Sequence, residues 1–312
     1  MPVGGGRYEG MWGNKARFVD YDYGSDGESG GLRPDSAFKY LQDAIDASSP
    51  WDVIYIRPRD PNTSGGDPQH MLPESTTNWS IASTLHGLSL IGTGVGTVPR
   101  TRANQTRLQG ASGATTAGLL VHAPYVNLEN ITFRRGSTTT GALFINGQGT
   151  GTTGGYAFNV TVNNCGFWKV AKAGVAGCVI DSAWHCMIAN SFFEECAVGV
   201  LYQVAGSNVV GVNVVNSWFN GIDTTIDADI AATGGSTVTE VFISGCNFAH
   251  DLPALGSGNT YNKYIDFATA SGLIVNCGFG TEDGTIATVM DTSNCDIVNC
   301  WYAPGTNLTD GT

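Results

Sequence analysis

A short pattern of apolar and polar positions recurs along most of the chain. An apolar residue, a variable residue and a third residue that is usually asparagine are followed, three positions later, by an aromatic residue. Seven copies of this motif close at Phe133, Phe167, Phe193, Phe219, Phe248, Phe279 and Tyr302. No helical periodicity separates the copies. Each copy is too short to bury its own apolar face, so it must stack on its neighbours.

This repeat predicts a β-solenoid in which equivalent residues form ladders between coils about 4.8 Å apart. The asparagine predicts a side-chain ladder at a bend, because asparagine tolerates a left-handed backbone. A second column pairs an apolar residue with a following polar one and keeps step with the first. Its copies are Val121-His122, Ile145-Asn146, Ile180-Asp181, Tyr202-Gln203, Ile226-Asp227, Ile265-Asp266 and Met290-Asp291.

The front of the chain follows another pattern. Apolar residues at helical spacing predict a helix over 35–48, which Asp35 or Ser36 caps and Pro50 ends. A strand follows at Val53–Ile56, and the helix is placed to cover the open end of the solenoid. The predicted organisation is an extended arm at 1–33, a capping helix with the first strand at 34–57, a β-helix at 58–302 and a C-terminal tail at 303–312. Four of the aromatic residues in the glycine-rich arm are predicted to attach it to another component, namely Trp12, Phe18, Tyr21 and Tyr23.

Composition narrows the classes of protein. Only 13% of the residues are charged and 43 are glycine, which argues against a helical bundle or a coiled coil. The 42% apolar content is enough to bury a core. Residues 173–312 hold one basic and fourteen acidic residues, so most of the net charge of −12 lies there. Such a charge predicts no binding to nucleic acid or to anionic membranes. Neither a signal peptide nor a membrane span is visible.

The eight cysteines mostly follow the repeat. Cys165, Cys246, Cys277 and Cys300 share one position of the motif. Because that position is locked to the repeat, the cysteines are predicted to be small buried thiols rather than disulfides. There is no Cys-x-x-Cys pair and no zinc-like spacing of cysteine and histidine.

The segment Asp35-Ser36-Ala37-Phe38 through Gln42-x-x-Ile45-Asp46-Ala47, followed by Val53-Ile54-Tyr55-Ile56, resembles the opening of pectate-lyase-like right-handed parallel β-helix proteins. With the repeats, the resemblance covers about residues 20–302. The preceding stretch over 24–34 is similar to the entry segment of phage-type members. The resemblance implies an all-β, single-stranded, right-handed parallel β-helix with an N-terminal capping helix. For a virion protein it further implies a homotrimer attached through its N-terminal arm.

An acidic column carries the candidate chemistry. If Asp227, Asp266 and Asp291 stack on consecutive coils, neighbouring carboxylates lie about 5 Å apart and alternate ones about 10 Å apart. These separations bracket the two glycosidase geometries, so Asp227 and Asp266 are the candidate catalytic pair, with Asp181 or Asp291 assisting. The same Asp227, Asp266 and Asp291 could hold Ca²⁺. The third interpretation is structural, since aspartates often bond backbone amides at turns.

Three functional hypotheses follow. The leading one is a non-enzymatic phage virion protein, a trimeric head decoration, spike or fibre located on the virion, which binds other virion proteins and contacts host polysaccharide. The second is a tailspike-like polysaccharide depolymerase that uses the stacked aspartates. The third is a non-catalytic carbohydrate-binding β-solenoid. No cofactor other than calcium is expected, and the candidate glycan contacts are Trp168, Trp184 and Trp218.

Overall fold

The computed structural model describes residues 14–25, 31–60, 78–94, 105–110, 117–134, 141–147, 156–170, 176–204, 208–220, 225–233, 238–249, 260–267, 270–280, 290–291, 294–302 and 306–308. The regular structure in these ranges is almost entirely β-strand. No helix within them is long and apolar enough to cross a membrane. The all-β class predicted from the repeat is confirmed.

The strands are short, since each crosses only one face of a coil. In chain order they are Ala16–Val19 (β1), Val53–Ile56 (β2), Trp79–Ile81 (β3), Ser89–Gly92 (β4), Arg107–Gln109 (β5), Ala117–Val121 (β6), Asn127–Glu129 (β7), Thr132–Arg134 (β8), Gly141–Asn146 (β9), Thr161–Asn163 (β10), Gly166–Val170 (β11), Ala176–Asp181 (β12), Met187–Ala189 (β13), Phe192–Cys196 (β14), Val198–Gln203 (β15), Val209–Val210 (β16), Asn213–Val215 (β17), Trp218–Asn220 (β18), Thr225–Thr233 (β19), Val238–Thr239 (β20), Val241–Ser244 (β21), Asn247–Ala249 (β22), Thr260–Asp266 (β23), Ser271–Val275 (β24), Gly278–Gly280 (β25), Met290–Asp291 (β26), Asn294–Val298 (β27), Cys300–Tyr302 (β28) and Thr306–Leu308 (β29).

Three long sheets run along the molecule. The first has the order β1-β2-β4-β7-β10-β13-β17-β21-β24-β27, the second β5-β8-β11-β14-β18-β22-β25-β28-β29, and the third β3-β6-β9-β12-β15-β19-β23-β26. Successive coils pair in parallel, whereas β29, in the predicted tail, pairs antiparallel with β28. From β7 to β28 the chain visits the first, second and third sheet in turn, apart from β16 and β20, which pair with each other in a separate two-stranded sheet. This is the topology of a parallel β-helix.

A column of phenylalanine rings fills the core behind the second sheet. Neighbouring rings stack at centroid distances of 4.6 to 5.4 Å with interplanar angles of 3° to 19°. Each ring comes from the closing position of the repeat, so the predicted register of this column is confirmed. The members of the stack are Phe133, Phe167, Phe193, Phe219, Phe248 and Phe279.

The asparagine ladder predicted at the bend before the second sheet is also confirmed. The residue three positions before each aromatic has a left-handed φ between 49° and 64°. The ladder residues are Asn130, Asn164, Asn190, Asn216, Gly245, Asn276 and Asn299. Side-chain amides connect some of the rungs. Asn164 Nδ2 donates to Asn130 Oδ1 at 3.4 Å, and Asn299 Nδ2 donates to Asn276 Oδ1 at 2.5 Å.

The second predicted column keeps its register for four coils and then departs from it. Val121, Ile145, Ile180 and Tyr202 are aligned. Tyr202 then pairs with Ala232, not with Ile226, and Ile265 pairs with Ile230. The prediction was wrong at β19, which is nine residues long. Side chains alternate between faces with period two, so a shift by an even number of residues keeps every apolar residue on its face. Periodicity alone therefore cannot detect such a shift.

The predicted helix over 35–48 is shorter in the structure. A 3-10 turn covers Pro34–Ser36 and an α-helix, α1, covers Leu41–Asp46, with no side-chain cap at its N-cap residue Tyr40. Between them Phe38 pairs with strand β1, donating its N–H to Phe18 O and accepting from Asp20 N–H, both at 2.8 Å. This tertiary pairing delays the helix beyond the predicted caps Asp35 and Ser36. α1 buries three apolar residues in the common core: Leu41, Ala44 and Ile45.

The described part of the predicted N-terminal arm lies within the first coil. Strand β1 pairs in parallel with β2, and Val19 is buried between them and the core. The next turn is tied down by the ion pairs Arg57 Nη1–Asp20 Oδ2 at 2.7 Å and Arg59 Nε–Asp22 Oδ1 at 3.1 Å. Residues 14–25 are therefore integrated into the solenoid, and the predicted boundary at residue 33 does not coincide with its start.

All eight cysteines are free thiols, and seven of them are buried. Cys165 Sγ donates to Leu128 O at 3.5 Å, and Cys246 Sγ donates to Val214 O at 3.5 Å. Ser191 and Ser217 occupy the same ladder position as these cysteines. The position therefore accepts a small side chain that bonds a backbone carbonyl, in agreement with the structural interpretation of the thiols.

Candidate functional site

A line of tight turns forms the corner that leads into the first sheet. In each of seven coils the residue two positions before the strand core has a left-handed φ between 52° and 73°. In chain order these residues are Trp51, Gly87, Tyr125, Asn159, His185, Gly211 and Glu240. The N–H groups of the first six donate to a carbonyl of the next coil at 2.8 to 3.0 Å, as in Tyr125 N to Phe158 O and His185 N to Val210 O. The corner is a second left-handed ladder.

Trp51 and Tyr125 are unusual occupants of this ladder. A left-handed conformation costs an L-residue with a bulky side chain about 1–2 kcal/mol, and glycine or asparagine normally takes it. Glycine and asparagine do so at Gly87, Asn159 and Gly211. Strained residues of this kind tend to be kept where the side chain has a use. Trp51 and Tyr125 are 47% and 45% exposed, so the core does not explain them.

Aromatic residues from five consecutive coils line this corner. Trp51 lies edge-on to His86 at 5.8 Å and stacks with Tyr125 at 6.0 Å and 27°. Tyr125 contacts Phe158 edge-on at 5.0 Å, and Phe158 is bridged to Trp184 in the next coil. We call Trp51, His86, Tyr125, Phe158 and Trp184 the corner strip.

Contacts with the backbone fix the two tryptophan rings of the corner strip. A Cβ at Gly87 would overlap the indole of Trp51, so one face of this indole rests on the glycine. The Trp184 indole N–H donates to Asn208 O at 3.0 Å, while 48% of the residue remains exposed. Half-exposed aromatic rings in fixed positions, such as Trp51, Tyr125 and Trp184, form a platform that can stack on the apolar face of a ligand.

The predicted catalytic aspartates are not brought together as expected. Asp266 is in register with Ala231 and with Asp291, whereas Asp227 lies four residues earlier in β19. Four residues along a strand correspond to about 13 Å. The proposed pair Asp227 and Asp266 therefore does not share a rung, as a consequence of the even shift at β19.

Asp181 belongs to another part of the third sheet. It is in register with Asn146 and Gln203, and its carboxylate accepts the Ser182 hydroxyl at 3.0 Å. Asp181 is buried. Among the described residues no group of three acidic, histidine or cysteine side chains could hold a metal ion. The backbone register likewise aligns only Asp266 and Asp291 of the three predicted calcium ligands.

The three predicted glycan tryptophans lie in different environments. Trp168 is buried, with the guanidinium groups of Arg107 and Arg134 at 5.5 and 5.0 Å from its ring. It therefore has little surface for a sugar. Trp218 is 45% exposed on the outer face of the second sheet. Only Trp184 belongs to the corner strip, so the predicted set does not form one surface.

The predicted attachment residues also separate. Trp12 lies outside the described residues. Phe18 stacks on Tyr55 at 5.6 Å and lines a cavity of about 360 Å³ beside Arg57. Tyr21 packs under the Arg59 guanidinium at 4.5 Å, and Tyr23 is 65% exposed. Of the described three, Tyr23 has the surface that a contact with another component would need.

Sequence reasoning missed most of the corner strip. No residue type recurs at this corner from coil to coil, because the ladder position holds both large and small residues. The sequence repeat therefore does not reveal Trp51, His86, Tyr125 and Phe158. One local signal was present in Pro50-Trp51 and Pro124-Tyr125. Proline fixes the φ angle of the second residue of a four-residue β-turn. In a type II turn the third residue then has a positive φ. An aromatic residue at that third position is the unexpected feature.

No protein-family model matches the sequence, and no curated protein matches it either. Several solved structures are similar in fold. Pectin methylesterase PemA from Erwinia chrysanthemi aligns with a TM-score of 0.54 and 8% identity over 94% of this chain and 91% of that chain. Pectate lyase Pel9A aligns with a TM-score of 0.51 and 12% identity over 95% and 82%. An alginate lyase from Paenibacillus sp. str. FPU-7 aligns with a TM-score of 0.50 and 13% identity over 87% and 95%.

At such identities these similarities establish the fold alone. The chain is a parallel β-helix with the pectate-lyase-like architecture that the opening segment and the repeats predicted.

Proposed function

We propose that this chain is a carbohydrate-binding β-helix that holds polysaccharide on the corner strip. The observation that carries the proposal is the pair of bulky aromatic residues, Trp51 and Tyr125, in left-handed turns with nearly half of each exposed. The names of the similar structures, which refer to pectin, pectate and alginate, make polysaccharide the ligand class to test first. Aromatic platforms suit sugars because the ring faces are apolar while the ligand's hydroxyls stay in water.

Affinity electrophoresis tests this proposal. The native chain is run in gels that contain hydroxyethyl cellulose, galactomannan or polygalacturonate. We expect retardation by at least one of them, and its loss in Trp51→Asn and Tyr125→Asn. Trp301→Asn is the matched control, since Trp301 is 52% exposed on the second sheet, outside the corner strip. Native migration in all three gels would overturn the proposal.

The stability of the same variants separates function from folding. Asparagine relieves about 1–2 kcal/mol of left-handed strain at position 51, which offsets the contacts that the half-exposed indole loses. Trp51→Asn is therefore expected to be at least as stable as the native chain while binding is lost. A variant that binds poorly because it is unfolded would contradict this expectation.

Catalysis by the aspartates is the alternative that the same gels and ligands test. Asp266 and Asp291 are adjacent in register and are the remaining candidates for a carboxylate pair. Release of new reducing ends from any of the three polysaccharides, abolished in Asp266→Asn, would establish a depolymerase and replace the binding-only proposal.

A trimeric virion component is the second candidate function. It is supported by a row of four uncharged residues in register on the second sheet, namely Trp218, Asn247, Gly278 and Trp301. A copy of the same acidic chain would meet no like charge there. In such a trimer α1 would cap the N-terminal end of a right-handed coil, as the resemblance implies.

Light scattering, with and without calcium, tests the trimer. A mass of three times 32.7 kDa that Trp218→Asp reduces to one copy is the expected result. A mass of 32.7 kDa under both conditions would overturn the trimer and with it this second candidate.

A further inference from the structure

Resting on the proposed function, we propose that the ligand of the corner strip is an uncharged polysaccharide whose chain lies parallel to the solenoid axis across five coils. The direction, the length and the charge of this ligand are each argued from a different observation.

The direction follows from the way in which the rings are connected. The corner strip takes one residue from the turn before each of five consecutive strands of the first sheet, β2, β4, β7, β10 and β13. Backbone bonds from Tyr125 N to Phe158 O and from Asn159 N to Trp184 O, both 2.9 Å, keep the turns in line. The platform therefore extends along the axis and is one turn wide. A ligand that covers it must run in the same direction.

The length follows from the coil spacing. Four coil-to-coil steps of about 4.8 Å separate Trp51 from Trp184, so the platform is about 19 Å long. A disaccharide covers only part of this length. A chain of several sugar rings contacts both end tryptophans, and its affinity grows with each ring that reaches the platform.

The charge of the ligand follows from the side chains along the corner. His86 is the one ionisable residue of the corner strip apart from the tyrosine, and the strip contains no acidic residue, lysine or arginine. The ladder positions between its rings are occupied by the uncharged Gly87 and Asn159. The described turn residues that carry the corner strip include no lysine or arginine that could pair with the anionic groups of uronates or sulfated sugars.

Gly87 positions the first ring of the platform. It has a φ of 73°, and a Cβ there would overlap the indole of Trp51. Gly87→Ala would lift this indole from the backbone without removing it. Gly87 is thus a positioning residue for binding, and the variant tests ring orientation separately from ring identity.

Tryptophan fluorescence titrations with oligosaccharides of two to six units test the inference. The probes are cello-oligosaccharides and manno-oligosaccharides, with oligogalacturonides of equal length as charged counterparts. We expect the affinity for one of the neutral series to rise by at least about tenfold from the disaccharide to the hexasaccharide. We expect the oligogalacturonide hexamer to bind at least about tenfold more weakly than the neutral hexamer.

The outcomes distinguish this inference from the proposed function. Tighter binding of oligogalacturonides, or affinity that stops rising at the disaccharide, overturns the inference but leaves a carbohydrate-binding protein. No binding of any series overturns both. Gly87→Ala is expected to weaken binding of the neutral hexamer, whereas Trp301→Asn leaves it unchanged. Native affinity in Gly87→Ala would show that the orientation of the Trp51 indole does not determine binding.

Discussion

Asparagine at the bend before the second sheet combines two properties that few residues share. Its side chain tolerates a left-handed backbone, and its amide bonds to a neighbouring rung. Asn190 shows both, with a φ of 51° and a bond from Nδ2 to Asn163 Oδ1 at 2.9 Å. The corner before the first sheet needs the same backbone but satisfies it with different residue types. This difference explains why one ladder was visible as a repeat and the other was not.

Asn190 provides a test of this residue-scale argument. Alanine normally stabilises regular structure relative to glycine by about 0.5–1 kcal/mol. At position 190 we expect the reverse, since Asn190→Ala pays about 1–2 kcal/mol for its left-handed φ and Asn190→Gly does not. Urea unfolding of both variants measures the difference. Equal stability, or a more stable alanine variant, would contradict the left-handed assignment.

The buried thiols give a second prediction at this scale. Burial raises the pKa of Cys165 and of Cys186 to about 12, and that of the half-buried Cys295 to about 11. Little reactive thiolate of these three cysteines therefore exists at about pH 8.5 in the folded chain. Iodoacetamide should label native Cys165 and Cys186 slowly and Cys295 faster, and it should label all eight cysteines after unfolding in urea. Rapid labelling of native Cys165, or thiols missing after unfolding, would argue against free buried cysteines.

Among the elements, the N-terminal segment shows how tertiary pairing overrides a local pattern. The apolar spacing over 35–48 is helical, yet only Leu41–Asp46 is helix because Phe38 is held by β1. The same contacts draw Ala16–Val19 into the first sheet. The glycine-rich sequence over 1–33 has no alternation of apolar and polar residues that would predict the pairing of β1 with β2. Its partner, β2, lies 37 residues away in register, as in Ala16 with Val53.

Deletion of residues 1–33 tests the role of this element. The truncated chain loses β1, the buried Val19 and the ion pairs of Asp20 and Asp22, so we expect a clear fall in the thermal midpoint. Tyr23→Ala is the control, since Tyr23 is 65% exposed and its removal should leave the midpoint unchanged. An unchanged midpoint after the deletion would show that residues 14–25 are dispensable for the fold.

For the whole molecule, the charge distribution is the feature with a measurable consequence. Residues 173–312 carry fourteen acidic residues against one basic residue. Raising the salt concentration from about 20 mM to about 500 mM shortens the screening length several-fold. We expect the thermal midpoint to rise by a few degrees, equally in NaCl and KCl. A fall, or a response to only one salt, would point away from general charge repulsion.

The candidate site was predictable only in part. Trp184 was named from its turn position, and the stacked aspartates were named from a column that the structure breaks at β19. The break is an even shift, which leaves the alternation of faces intact. The pairing of β19 with β15 and β23 decides the register, and this pairing depends on packing between coils. Trp51 and Tyr125 come together for the same reason, since 74 residues of sequence separate them while only one coil lies between them.

The sequence by itself determined the β-helix, the phenylalanine stack and the asparagine ladder. Each of these features depends on one residue type that recurs at the same position of successive coils, so the sequence repeat predicts it. Only the tertiary structure decided the placement of Asp227, the integration of β1 and the assembly of the corner strip. These depend on contacts between positions whose residue types differ from coil to coil. Many different sequences are compatible with the backbone geometry at these three places. The stacking of the coils decides which residues come into contact there.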